Sequence, residues 1–187
     1  MTVTSAAPSA FLLKAVNDSK GIIEGYASLY NMEDSEADMI APGAFDASLA
    51  QWNRSGRQPP LLWQHDPTQP IGLWQLLKTD KTGLFVRGQL FVGEVARAAE
   101  AYALLKRGAL SGLSIGYRPE VSRRDGKRGV RILERLKLYE ISLVTFPALE
   151  AARVSAVKAR MGDDGLLSAL RSLQDAIRRA MPVSTQR

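Results

Sequence analysis

Short apolar runs dominate the first 160 positions of the chain, and turn-forming residues separate them. Runs of this length, bounded by glycine, proline, aspartate or asparagine, are typical of β-strands. The pattern predicts seven strands: Phe11–Val16, Ile22–Tyr30, Pro60–His65, Ile71–Lys78, Gly83–Phe91, Leu113–Val121 and Val130–Phe146. Because strands rarely exceed about 10 residues, we expect a bend within the last of them.

Two segments have helical periodicity instead. In Gly43–Trp52 the apolar residues recur at i, i+4 and i+7, and Glu94–Arg107 has an alanine-rich face that is followed by Gly108 at a typical C-cap position. Strands outnumber helices, and short turns join several neighbouring strands. The sequence therefore predicts an α+β, mainly β fold, in which helices pack outside an antiparallel sheet or barrel.

The composition divides the chain into three segments. Residues 1–10 are rich in Thr, Ser, Ala and Pro, and we expect them to be disordered. Residues 11–160 form the predicted domain. Residues 161–187 contain a Gly-Asp-Asp-Gly break at 162–165, and an amphipathic helix is predicted after it. This helix could dock on its own domain, act as an assembly segment or lie on a membrane surface. The apolar stripe of this helix comprises Leu166, Leu170, Leu173, Ile177 and Met181.

The composition also restricts the chemistry. The chain has no cysteine and one histidine, which excludes thiolate nucleophiles, Cys-ligated zinc and sites that need two histidines. No calcium-loop motif is present, and we expect no cofactor or metal. The net charge is +6, but no aromatic residues interleave with the basic segments, so solvated basic loops or an acidic protein partner are favoured over nucleic acid. The apolar runs are too short for a membrane span and the N-terminus lacks a secretory signal, which predicts a cytosolic protein.

Two segments in the middle of the chain could carry a reaction. His65 ends an apolar strand, where catalytic groups are often found, although a lone histidine is commonly structural. Ser114 is the centre of a G-x-S-x-G pattern, which suits a nucleophile but also suits a glycine-rich strand packed beneath a helix. An α/β-hydrolase is excluded because no histidine follows Ser114. A serine nucleophile on another fold stays open, since triads recur with unrelated chain orders.

A third candidate is the acidic residue Glu140. Strand alternation places it on one face with the apolar residues Leu136, Leu138 and Val144 and with Ser142. A carboxylate among apolar residues is costly unless it has a partner. A protonated histidine could be that partner, and so could one of the many arginines.

Several short motifs resemble, in order, those of the HK97-type phage prohead (capsid maturation) proteases. The similarity runs from about Gly21 to Lys158. The motifs are PGAF at 42–45, LLWQHD at 61–66 with PIG at 70–72, GL at 83–84, YALLKRG at 102–108, LSIGY at 113–117, and EISLV at 140–144 with PA at 147–148.

The resemblance implies a herpesvirus-protease-like β-barrel and a serine endopeptidase that acts inside the immature capsid in the host cytoplasm. The implied substrates are the scaffold portion of the capsid protein and the protease itself, which could also form homo-oligomers. Ser114 would be the nucleophile, His65 the general base and Glu140 the acid. Ser142 is a reserve candidate for polar support, and the backbone of Ala148 and Leu149 is implied as the oxyanion hole. The alternative is a non-catalytic capsid-assembly protein of the same fold.

Overall fold

The computed structural model describes residues 21–158 of the chain. The predicted strand Phe11–Val16, the N-terminal segment that we expect to be disordered and the predicted helix after residue 160 lie outside these residues. The strands within them are β1 (Ile22–Leu29), β2 (Asp38–Ile40), β3 (Pro60–Trp63), β4 (Asp66–Thr79), β5 (Gly83–Leu90), β6 (Gly112–Asp125), β7 (Val130–Val144) and β8 (Val154–Lys158). The helices are α1 (Asp46–Ser55) and α2 (Ala96–Lys106). No helix among these residues is long and apolar enough to cross a membrane.

The strands form one curled sheet in which β7 is the central member. On one edge β7 pairs antiparallel with β6 along its whole length, and on the other edge it pairs in parallel with β2 and then β3. From β3 the sheet continues antiparallel through β4, β5, β1 and β8. The two ends meet where Gly112 bridges Arg153 and the Leu113 N–H donates to the Ala152 carbonyl at 2.9 Å. The mainly antiparallel prediction is confirmed.

The core fills the interior of this curl with large apolar side chains. Its fully buried members include Trp74, Phe45, Ile23, Leu61, Ile71 and Leu84. Helix α1 is anchored to β7 from both sides of Leu138: Trp52 Nε1 donates to the Leu138 carbonyl at 3.0 Å, and Ser48 Oγ accepts from its N–H at 2.9 Å. Helix α2 buries Ala98, Tyr102 and Leu105 of the predicted face, and it also buries Ala101, which the pattern had not placed there.

The predicted helix at Gly43–Trp52 begins and ends three residues too early. Gly43 has φ of 87°, which places it in a turn rather than in a helix, and α1 continues to Ser55 before Gly56 ends it with φ of 65°. The sequence pattern also missed β2, which has three residues, and β8, because such short segments carry little alternation.

The predicted alternation along β7 is wrong at one point, because Tyr139 forms a β-bulge. Gly116 of β6 pairs with Glu140, while the next residue, Tyr117, pairs with Leu138, so Tyr139 has no partner across the ladder. A one-residue slip of this kind reverses the side-chain directions that follow it. Leu136 and Leu138 consequently belong to the core together with Ile141 and Leu143. Glu140 and Ser142 face the other way.

Candidate active site

His65 lies in a tight turn between β3 and β4. Trp63 pairs with Asp66, which leaves Gln64 and His65 as the two central residues of the hairpin, with φ of 52° and 61°. Two positive φ values define a type I′ turn, which normally uses Asn-Gly. Residues with larger side chains adopt this conformation only when the surroundings enforce it, and such strain is concentrated at functional sites.

Hydrogen bonds to β7 and to the residue after it enforce this conformation. The Gln64 N–H donates to the Leu143 carbonyl at 2.9 Å. The Gln64 side chain donates to Thr145 Oγ1 at 2.8 Å and accepts from the Thr145 N–H at 3.2 Å. The His65 N–H donates to Ser142 Oγ at 3.2 Å. The turn is therefore fixed over the face of β7 that carries Glu140.

The imidazole of His65 contacts Glu140 directly. Nδ1 and Oε1 lie 2.6 Å apart, and the second carboxylate oxygen, Oε2, accepts from Ser142 Oγ at 2.5 Å. The Glu140 side chain is 13% exposed and that of His65 is 43% exposed. The hydrogen bond to Glu140 raises the pKa of His65 above its usual value, more than partial burial of the ring lowers it. Of the two partners considered for Glu140 from the sequence, the structure brings histidine rather than arginine to it.

Gly116, the second glycine of the G-x-S-x-G pattern, makes room for this carboxylate. It lies directly across the ladder from Glu140. A Cβ added at Gly116 would lie 2.2 Å from Glu140 Oε1, far inside van der Waals contact. The absence of a side chain at Gly116 therefore leaves space for the acid of the His–Glu pair.

Ser114 lies on the same face of the sheet as the His–Glu pair. It pairs across the β6–β7 ladder with Ser142, the residue that contacts both His65 and Glu140. Ser114 is 8% exposed, and its hydroxyl makes no hydrogen bond to any of residues 21–158, His65 included. Ser114 lines a pocket whose other members include Met32, Asp34, Tyr117, Ala148 and Leu149.

The loop after β7 approaches Ser114 because Gly112 has no side chain. A Cβ at Gly112 would lie 2.4 Å from the Val144 carbonyl oxygen and 2.9 Å from Pro147 Cδ. Within the described part of the chain, the Ala148 and Leu149 carbonyls accept hydrogen bonds from Ser35 and Ala152, whereas their own N–H groups donate none. Two unoccupied backbone donors therefore lie in the segment that lines the Ser114 pocket.

A second polar cluster, which the sequence pattern did not predict, contributes Asp38 and Tyr117 to the lining of this pocket. The Asp38 side chain is 1% exposed and accepts from Arg131 Nε at 2.7 Å and from Tyr117 Oη at 2.9 Å. Burial raises the pKa of Asp38, but the hydrogen bonds from Arg131 and Tyr117 outweigh it and the pKa is lowered. The three residues are far apart in sequence and show no motif, so only the fold could reveal their contact.

A serine on the same face of a curled sheet as a His–Glu pair has the residue types that serine hydrolases use. The sequence model of the Caudovirus prohead serine proteases matches residues 9–165. The chain belongs to this family.

Individual proteins agree with this assignment. The prohead protease of Enterobacteria phage HK97 is 36% identical over 170 residues, which cover 88% of this chain and 73% of that protein. The capsid polyprotein of Pseudomonas phage PAJU2 is 33% identical over 162 residues, which cover 83% of this chain and 23% of the polyprotein. Among solved structures, the bacteriophage T4 capsid assembly protease superposes with a TM-score of 0.51 at 14% identity, over 66% of this chain and 83% of that one.

The family predicted from the short motifs is confirmed, and with it the class of a serine protease of capsid maturation. The superposition on the T4 capsid assembly protease shows that the curled sheet has the same fold as that protein.

Proposed function

We propose that this chain is a serine endopeptidase in which Ser114 is the nucleophile, His65 the general base and Glu140 the acid that orients it. The observation that carries the proposal is the 2.6 Å contact between His65 Nδ1 and Glu140 Oε1, in a chain with one histidine. Glu140 accepts a hydrogen bond from Nδ1–H and so selects the tautomer whose free lone pair is on Nε2. Because the carboxylate also stabilises the imidazolium, His65 is suited to accept the proton of a serine hydroxyl.

The reaction starts with the transfer of the Ser114 hydroxyl proton to His65 Nε2. A serine hydroxyl is a weak nucleophile until an adjacent base removes this proton. The hydroxyl has no partner among residues 21–158, which leaves it able to donate to His65. Hydrogen bonds between catalytic groups are often long without substrate and shorten when the substrate binds. The serine oxygen then attacks the scissile carbonyl, and His65 returns the proton to the leaving amine.

The backbone N–H groups of Ala148 and Leu149 are the proposed oxyanion hole. They lie in the loop that shares a pocket with Ser114, and neither donates a hydrogen bond within the described residues. Such preorganised donors stabilise the charge on the tetrahedral intermediate, and the loss of one typically costs about 10²–10³ in kcat. Gly112 supports this arrangement because it lets the loop approach β6 closely.

The proposed substrates are the scaffold portion of the capsid protein and the protease itself, cleaved inside the immature capsid in the host cytoplasm. The similarity to a capsid polyprotein supports this proposal, since a homologous segment there is part of a chain named for the capsid. The second candidate, a non-catalytic assembly protein of the same fold, is disfavoured by the retained His65–Glu140 contact and by the serine beside it. In the protease proposal, residues 161–187 bring the protein into the capsid, where it could form homo-oligomers.

The test is cleavage of the cognate capsid protein by the purified full chain, followed by mass spectrometry of the fragments. We expect Ser114→Ala to lower the rate by about 10⁶, the loss typical of a triad nucleophile. Ser122→Ala is the matched control, because Ser122 is exposed on the same strand and outside the site. Undiminished cleavage by Ser114→Ala would refute the assignment, and no cleavage by the wild-type chain would favour the assembly protein.

A further inference from the structure

Ser142 is a buried polar residue that contacts two proposed members of the triad with one hydroxyl. It is 0% exposed. Its Oγ donates to Glu140 Oε2 at 2.5 Å and accepts from the His65 backbone N–H at 3.2 Å. It is also the direct cross-strand partner of Ser114. A hydroxyl has one proton to donate, so the direction of the Glu140 bond follows from the carboxylate, which can only accept when ionised.

The position of this hydroxyl matters because it adds a second restraint to each of its two partners. Glu140 reaches His65 with one oxygen, and without a second bond its carboxylate could rotate away. His65 has φ of 61° in a turn that lacks glycine, so its backbone favours other conformations unless hydrogen bonds hold it. Gln64 and Thr145 fix the first half of the turn, and Ser142 accepts the N–H of the second half.

We infer that Ser142 is a positioning residue that fixes the Glu140 carboxylate and the His65 backbone at the same time, so that the His–Glu pair has one geometry before substrate binds. The inference rests on the proposed function only for its consequence in catalysis. The geometric claim, that this hydroxyl holds the pair together, can be tested without any proteolysis. At metal-bound histidines, removal of the residue that hydrogen-bonds to the histidine typically lowers activity by about 10–100-fold. We expect a loss of similar size when the Ser142 hydroxyl is removed.

The charged groups around His65 make the measurement interpretable. Glu140 on β7 is the charged group that raises the pKa of His65. Asp66, the neighbour in the chain, directs its carboxylate to Thr68 and Gln69 instead, with Asp66 Oδ2 accepting from Gln69 Nε2 at 2.7 Å. Arg97 on α2 lies over the Trp63 ring and donates to Gln69 Oε1. A change in the His65 titration therefore reports mainly on its contact with Glu140.

The experiment uses the fact that the chain has a single histidine. In untagged full-length Ser114→Ala protein, which cannot digest itself under the proposed function, the histidine ring signals in an NMR titration belong to His65 alone. We expect Ser142→Ala to lower the pKa of His65, in the same direction as Glu140→Gln and by less. In the Glu140→Gln background, Ser142→Ala should cause no further change, because the contact through which Ser142 acts is already lost.

Kinetics with Ser114 restored provide the second readout. Ser142→Ala should lower kcat about 10–100-fold and leave KM within about twofold, since no substrate contact is removed. Ser48→Ala is the matched control: Ser48 is also a buried serine, 4% exposed, and its hydroxyl bonds β7 at Leu138, away from the site. It should lower stability but leave both the His65 titration and kcat unchanged.

An unchanged His65 titration in folded Ser142→Ala protein would overturn the inference. An equal shift with Glu140 intact and in the Glu140→Gln background would overturn it as well. If Ser142→Ala does not fold, Ser142→Cys is titrated instead, because a thiol is a weak donor of similar shape and the same downward shift is expected. The two proposals can fail separately. A wild-type chain without proteolytic activity but with the expected titrations would refute the proposed function and leave the positioning by Ser142 intact.

Discussion

Replacing Gly116 with alanine should disable the site although none of its catalytic residues is substituted. The new Cβ would lie 2.2 Å from Glu140 Oε1, whereas carbon and oxygen atoms that are not bonded normally stay at least about 3.4 Å apart. The carboxylate must therefore move by about 1.2 Å. Because it is the end of a flexible side chain, the strand pairing can survive this movement. The 2.6 Å bond to His65 Nδ1 cannot, since its oxygen is the atom displaced.

The magnitude follows from what that bond does. A misplacement of about 1 Å in a catalytic group can cost about 10²-fold, and loss of the acid of a serine-protease triad costs about 10⁴-fold in kcat. We therefore expect kcat of Gly116→Ala to fall by about 10² to 10⁴, with little change in KM. The pKa of His65 should fall at the same time, because its hydrogen bond to Glu140 is the main cause of its elevation.

The assay compares cleavage of the capsid protein and the His65 NMR titration between Gly116→Ala and Gly126→Ala. Gly126 lies in the turn of the same β6–β7 hairpin, and a Cβ there meets nothing within 4 Å. Its φ is outside the left-handed region, so alanine at Gly126 should be neutral or stabilise the fold by up to about 1 kcal/mol. Wild-type kcat and an unshifted His65 titration in folded Gly116→Ala protein would refute the reasoning.

Three further predictions concern pH, stability and the C-terminal segment. Cleavage should require neutral His65, so activity should rise with pH through a midpoint above about 6.5. Glu140→Gln should lower both the pH of that midpoint and kcat. A midpoint that does not move in this variant would show that another residue is the acid. Arg131→Ala should destabilise the fold by about 1–3 kcal/mol in urea unfolding, because the buried Asp38 carboxylate loses its main hydrogen-bond donor. The difference in stability from wild type should disappear at a pH low enough to protonate Asp38. Equal urea midpoints near neutral pH would contradict this prediction. Truncation after Arg160 should leave peptide hydrolysis intact but lower incorporation into capsids, and loss of the cooperative melt would show instead that residues 161–187 belong to the domain.

The sequence predicted the three residues of the proposed triad but not the geometry that joins them. Ser114 and His65 were candidates because serine in a glycine-rich pattern and a lone histidine at a strand end carry recognisable chemistry. The approach of Glu140 to His65 joins residues 75 positions apart, and only the parallel pairing of β3 with β7 brings them together. Gln64 and Thr145 were missed because glutamine and threonine in a turn have no distinctive pattern.

The sequence analysis named histidine as a partner for Glu140, which the structure shows, but it placed Glu140 on the wrong face of β7. Alternation placed the carboxylate with Leu136 and Leu138, and the expected cost of burying it there led to histidine as a partner. The bulge at Tyr139 removes Glu140 from that apolar face, so the carboxylate is not buried among those leucines and the expected energetic cost does not apply. Bulges depend on pairing between strands and cannot be read from one strand alone.

The bulge in β7 and the strained β3–β4 turn each position one member of the His65–Glu140 pair. The bulge directs Glu140, and the turn holds His65. A regular β7 would direct Glu140 into the core with Leu136 and Leu138, out of reach of a residue on the outer face. A relaxed β3–β4 turn would not hold His65 over that face. Each of these two irregularities costs backbone hydrogen bonding or conformational energy. Ser142 helps to stabilise both, because its hydroxyl accepts from the His65 backbone N–H and donates to Glu140. Disrupting that bridge should therefore affect the turn and the carboxylate together, which two independent structural features would not do.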